Sequence, residues 1–146
     1  MCHSIRRLCH VYGRQFNQHE SRYVPADNPN VGLIYFYRES EFVGTLRGIY
    51  IDVNGQRRGA LNSGTYFVYE AVPGATIVSG ENWLGEDPSR TIQVEAGKSY
   101  YVKGGIKIGL WDAVPYINLV ANDEGGGAVQ NLVYATMKEK DLRNKK

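Results

Sequence analysis

The chain is poor in the residues that most often carry chemistry. Its 146 residues include two cysteines, Cys2 and Cys9, and three histidines, His3, His10 and His19, all within the first nineteen positions. Without cysteine in the body, no disulfide framework staples it, and its stability must come from packing. Without histidine, the body has no imidazole for a Ser-His-Asp triad, a Cys-His pair or a His-rich metal site. No run approaches the roughly 20 apolar residues of a membrane-spanning helix, so no span is expected. Arg6 and Arg7 are followed only by Leu8-Cys9-His10-Val11-Tyr12-Gly13, short of the continuous apolar stretch of an export signal, and none is expected.

Charge of one sign is scarce as well. The formal net charge is +2, and both ends are basic: the first twenty residues sum to +2 and Lys138 to Lys146 to +3, which leaves the body at −3. A short Lys-rich terminus reads as a solvated end, and with no basic stripe in the body, nucleic acid is not an expected partner. In contrast, 11 tyrosines and 17 glycines stand against two methionines, a bias toward strands and turns over helices.

Residues 1–30 show neither the period of a strand nor that of a helix and read as a loosely structured leader. One domain follows over 31–137, and 138–146 form a basic tail. The body opens with Val31 to Arg38, a continuous apolar and aromatic run bounded by turn residues, expected as the central strand. Thr45 to Val53 alternates Ile49, Ile51 and Val53 against Tyr50 and Asp52 and runs into Asn54-Gly55. That pair predicts a hairpin returning over Gln56 to Leu61, because a type I′ turn needs positive φ at both central positions.

Further strands are expected at Thr65 to Ala71, Ala75 to Ser79, Arg90 to Glu95, Ser99 to Lys103 and Pro115 to Ala121, separated by glycine, proline and asparagine turns. Gly104 to Asp112 reads as irregular. The Gly125-Gly126-Gly127 run argues against a helix crossing it, and a short helix is expected from Ala128 to about Lys140, with Ala128, Leu132 and Ala135 on one stripe. Seven or eight short strands without helical crossovers give an all-β fold, a small antiparallel sandwich or barrel.

The order Ile34-Tyr-Phe-Tyr-Arg38, Phe42-Val-Gly44, Ile51-Asp-Val-Asn-Gly55, Leu61-Asn-Ser-Gly-Thr-Tyr-Phe67, Val72-Pro-Gly74 and Val94-Glu-Ala-Gly-Lys-Ser-Tyr-Tyr101 resembles the DUF2846 family of bacterial domains. The resemblance covers about Val31 to Tyr134. Its middle portion also resembles PEGA-type and carboxypeptidase-regulatory-like modules. The likeness implies a prealbumin-like sandwich and a place at the cell envelope or periplasm, often on lipoproteins. It implies no catalysis, since a fold does not carry a function. The leader departs from that pattern: Arg6, not Leu, stands three before Cys9, so no lipid anchor is expected there.

Four residues are the candidate ligand contacts. Trp83 and Trp111 fall in the two least regular loops, where with Tyr101, Tyr100 or Tyr116 they would form an apolar platform for sugar or peptide; the alternative is that both rings complete the core. Arg38 matches the family's strand-ending Arg and is expected to pair with a turn carboxylate or backbone carbonyls, or to meet a ligand. Tyr35, Tyr37, Tyr50, Tyr66 and Tyr69 alternate along strands as cross-strand packing would have them.

Carboxylates at Glu39, Glu41, Glu81, Glu86, Asp87, Asp123 and Glu124 would serve a glycosidase if paired across a pocket, but each stands among turn residues where solvated acids are the norm. The repeated Cys-His pair has the ligand count of a zinc shell without its C-x₂₋₄-C spacing. Gly104-Gly105 and the triple glycine lack the Lys-Ser/Thr of a phosphate loop and read as flexible turns. No catalytic residue, metal or cofactor is assigned. The expectation is a non-enzymatic binding or structural module, meeting a protein partner or a second copy through edge strands. The alternative is a carbohydrate-binding or carbohydrate-processing protein using the loop aromatics and acids.

Overall fold

The structure is a computed structural model that describes residues 22, 23, 25, 27–42 and 47–137. Cys2, Cys9, the three histidines and the basic tail, with the expectations resting on them, lie outside the described residues.

Nine strands and one helix follow in order: β1 Gly32–Arg38, β2 Ile49–Val53, β3 Gln56–Leu61, β4 Thr65–Ala71, β5 Gly74–Gly80, β6 Ser89–Val94, β7 Ser99–Ile108, β8 Ala113–Val120, α1 Asn122–Val129 and β9 Val133–Tyr134. They form two sheets, β8-β7-β1-β4-β9 and β3-β2-β5-β6. The fold is thus the expected all-β sandwich with β1 at the centre of the larger sheet. Pairing is antiparallel except for β1 with β7 and β4 with β9, which are parallel.

The alternation of each strand turns its apolar set inward. Ile34 and Phe36 from β1, Ile49, Ile51 and Val53 from β2, Leu61 from β3 and Phe67 from β4 are buried in one core. Val78, Ile92, Val94, Val102 and Ile117 complete it. Phe36 and Phe67 lie directly opposite in register and stack at 5.0 Å between centroids. Gly59 is where the other sheet meets that pair: a Cβ there would stand 2.6 Å from the Phe67 ring, so a side chain would force the sheets apart. The Asn54-Gly55 hairpin forms as predicted, with φ of 49° and 78°. The Asn54 side chain adds a bond, its Oδ1 accepting from the Ile77 amide at 2.9 Å.

Three expectations change. The helix runs through the triple glycine, from Asn122 to Val129, and stops short of most of the predicted stretch. Helix propensity is overridden by packing: Gly125 is buried against Tyr101, and a side chain there would overlap that ring. Leu132 lies in a turn, and the chain then pairs β9 with β4. Gly104 to Ile108 is not irregular but continues β7, paired with β8 through Ala113. Its glycines face neighbours that leave no room for a Cβ, Gly104 toward Leu61 and Gly105 toward Tyr116, so Gly104-Gly105 is a packed strand rather than a flexible turn.

The outer face of the larger sheet carries a tyrosine array. Tyr35 stacks on Tyr101 at 4.8 Å and on Tyr66 at 6.5 Å, while Tyr134 and Tyr23 pack at 5.5 to 6.2 Å around them. Tyr50 and Tyr69 stand outside it, under the guanidinium groups of Arg57 and Arg58. Tyr23 is held by its amide donating to the Tyr66 hydroxyl and its own hydroxyl donating to Glu70. Tyr23 is therefore seated on the sheet.

Candidate functional site

The pairing registers decide which loops meet. Arg38 ends β1, Leu61 ends β3 opposite Ile49, and β5 reaches Gly80 beside Ile51. The loops after β1, β3 and β5, and the β7–β8 connection, therefore share one end of the sandwich. The β7–β8 hairpin reaches past the end of β1, because β7 runs on to Ile108 where its neighbour β1 stops at Arg38. The hairpin Asn54-Gly55 and the β4–β5 and β6–β7 turns occupy the other end.

At the base of this loop end sits Arg38, 0% exposed. The inward alternation that buries Ile34 and Phe36 also directs this guanidinium between the sheets. Its Nε donates to Glu41 at 3.2 Å, and one Nη donates to the carbonyls of Arg47 at 2.6 Å and Leu61 at 3.4 Å. The other Nη lies 3.2 Å from the same carboxylate. A buried guanidinium is tolerable only when so many of its five donors are used. Arg38 thereby ties the loop after β1 to the end of β3, with the turn carboxylate and carbonyls the sequence led us to expect.

Above it, Arg47 lies over the Trp83 ring at 4.0 Å, so Trp83 is partly covered by a cation. Its loop is internally fixed: the Asn82 amide donates to Asp87, the Asn82 side-chain nitrogen to the Glu86 carbonyl, and the Leu84 amide to the Asn82 side-chain oxygen. This arrangement leaves Leu84 59% exposed. At the tip of the β7–β8 hairpin, Leu110 and Trp111 are 94% and 97% exposed, with Ile108 just behind at 56%. The turn is closed by the Gly109 amide donating to the Asp112 carbonyl, and Lys107 lies over the Tyr116 ring at 5.3 Å. Phe42, on the loop after β1, is also exposed.

Of the four candidate residues, Arg38 and Trp83 are joined through Arg47, and Trp111 stands at the same end on the projecting hairpin. Tyr101 does not join them; it lies on the outer sheet face between Tyr35 and Gly125. Tyr100 is at the opposite end, its hydroxyl accepting from the Glu95 amide and donating to the Gln93 carbonyl. A shallow open depression lies there, lined by Gln93, Glu95, Lys98, Tyr100 and Asn122 among others. Trp111 does not complete the core, against one of the two expectations for it, because β7 and β8 carry it beyond the body. Leu84, Ile108 and Leu110 were passed over in the sequence. The available signal was an apolar pair, Leu110-Trp111, set between Gly109 and Asp112 where turns normally place polar residues.

Several loop acids are engaged in ion pairs: Glu39 with Lys103 at 2.6 Å, Glu41 with Arg38, and Glu81 with Arg57 at 3.3 Å. The bond to Glu39 raises the Lys103 pKa further. Among the described residues, no group of three or more His, Cys, Asp or Glu is placed to hold a metal ion. Burial first, then the bond to Glu70, pushes Tyr23 up to about 12, and burial also raises Tyr35, Tyr37, Tyr101 and Tyr134.

A family model described as a protein of unknown function, DUF2846, matches residues 28–115, more than half of the chain. The match runs from before β1 through the tip of the β7–β8 hairpin and ends before α1 and β9. No curated protein and no solved structure matches. Among the described residues, no helix is long and apolar enough to cross a membrane.

Proposed function

The chain belongs to the DUF2846 family, and on that premise we propose that it is a non-enzymatic binding module that meets its partner with the loop end of the sandwich. The observation that carries the reading is the pair Leu110-Trp111, almost fully exposed on the tip of a hairpin that projects beyond the body. Large apolar groups held in water mark contact sites when they cluster. Elsewhere at the same end Arg38 and the asparagine-fixed loop of Trp83 hold the loops in place, and a pre-ordered surface lowers the entropic cost of binding. The pairing of Glu39, Glu41 and Glu81 with cations favours binding over acid-base chemistry. Residence at the cell envelope belongs to the same reading and draws on the family resemblance.

Edge-strand pairing is the second route to a partner. β8 carries Pro115, and β3 has a register shift opposite Ile51 and Asp52, features that blunt edges. β9 is an edge of only two residues, and β6, Ser89–Val94, carries neither proline nor register shift, with its Arg90 bonded to Asn118 of β8 near its start.

A photo-crosslinking side chain placed at position 111, with one at the exposed Val72 of the opposite end and one at Thr91 of β6, tests this in the producing cell. Crosslinks concentrated at 111 support the loop end. Crosslinks at 91 alone move the contact to the edge strand, and equal yields at all three sites defeat the proposal.

A further inference from the structure

We propose that the outer face of the larger sheet is a redox site: an outer-sphere one-electron acceptor draws its electron from the tyrosine array, and the oxidised state comes to rest on Tyr23. The site is separate from the loop end and does not depend on it. Tyr23, Tyr35, Tyr66, Tyr101 and Tyr134 form one connected set, each ring lying 4.8 to 6.5 Å from a neighbour. Two of the contacts are close to parallel, Tyr35 with Tyr101 at 19° and with Tyr66 at 22°. Stacked π faces share a positive charge, so this set gives up an electron more easily than a lone phenol does.

Cations direct the oxidation to this face. Outside the array, Arg57 lies over Tyr50, Arg58 over Tyr69, Lys107 over Tyr116 and Arg47 over Trp83. A positive charge held on a ring face makes an electron harder to remove from that ring. Among the described residues, no cation lies over a ring of the array. Within the array, Tyr23 is the end point because a phenol that loses an electron becomes a strong acid and must shed its proton. The Tyr23 hydroxyl donates to Glu70 at 2.9 Å, within reach of direct proton transfer. One electron passes to the acceptor, the proton moves from Tyr23 to Glu70, and a neutral phenoxyl radical remains. A one-electron reductant such as ascorbate returns the electron, and Glu70 returns the proton.

The test oxidises the full chain with photogenerated tris(bipyridyl)ruthenium(III), captures radicals with a nitroso spin trap and locates the adducts by peptide mass mapping. Trp111→Phe is the parent, so that the exposed indole does not compete. Exposure alone favours Tyr50, which is 39% exposed where Tyr23 is half-buried; the inference expects more adduct at Tyr23 than at Tyr50. Glu70→Gln keeps an acceptor oxygen for the hydroxyl but removes the base, and should lower the Tyr23 adduct roughly tenfold or more. Tyr35→Phe keeps a ring in the stack that does not oxidise, and should lower it severalfold by cutting Tyr101 off. Circular dichroism checks that both variants are folded. Adduct at Tyr23 no greater than at Tyr50, or a yield at Tyr23 that either folded variant leaves unchanged, would overturn the inference.

Discussion

Two identical substitutions two residues apart should move stability in opposite directions. Gly125 and Gly127 both lie in α1, and by helix propensity alone each change to Ala should stabilise by up to about 1 kcal/mol. The surroundings differ. At Gly127 a Cβ meets nothing within 4 Å, whereas at Gly125 it would lie 2.6 Å from Cδ1 of Tyr101 and closer still to its Cβ and Cγ. Those atoms sit at the root of the side chain on β7, so the ring cannot swing away and the helix must lift instead. Overpacking of this kind costs about 1–3 kcal/mol, more than propensity returns. We expect Gly125→Ala to destabilise by about 1–2 kcal/mol and Gly127→Ala to stabilise by about 0.5 kcal/mol. At roughly 3 °C per kcal/mol for a chain of this size, the two melting temperatures should straddle that of the parent and differ by about 5 °C. Circular dichroism melts with urea titrations measure both. If Gly125→Ala stabilises as Gly127→Ala does, α1 is not seated on Tyr101 and the account of why the glycine run is helical is wrong.

Other outcomes follow from the buried polar groups. Arg38→Ala removes the cation from Glu41 and the donors from two carbonyls, and should cost about 3 kcal/mol; Trp111→Ala, at an exposed tip, should stay within about 0.5 kcal/mol in the same urea series. The Tyr37 hydroxyl is the buried side-chain polar atom without a partner among the described residues, so Tyr37→Phe should be neutral or stabilise by up to about 1 kcal/mol, and a clear loss would reveal an unseen partner. Tyr23 keeps its proton in the folded state up to about pH 12 but releases it near pH 10 once unfolded. Its share of stability is therefore complete below about pH 10 and lost as pH rises toward 12, by about 1 kcal/mol after solvent screening. Tyr23→Phe should flatten that part of the alkaline urea-midpoint curve, and an unchanged curve would refute the Tyr23–Glu70 contact.

The sequence by itself determined the strands, because their cause is local. Alternation set the inward faces of β2 and β6, Asn54-Gly55 fixed a turn that few other pairs can adopt, and the order of motifs identified the family. Arg38 was legible too, as a strand-ending cation that must find carboxylate or carbonyl. What tertiary structure decided has no local cause. The glycine run becomes helix because Tyr101, more than twenty residues away, leaves no room for a side chain. Gly104 and Gly105 extend β7 because they pair with Ile117 and Tyr116 of β8, and they can be glycine there because Leu61 and Tyr116 fill the space a side chain would take. The loop end likewise exists only after pairing, since Leu84, Leu110 and Trp111 are ordinary loop residues until the registers of β5 and β7 carry them to one end. Periodicity records which face of a strand is buried, but not where a strand stops relative to its neighbours, and that difference is what lifts the hairpin tip into solvent.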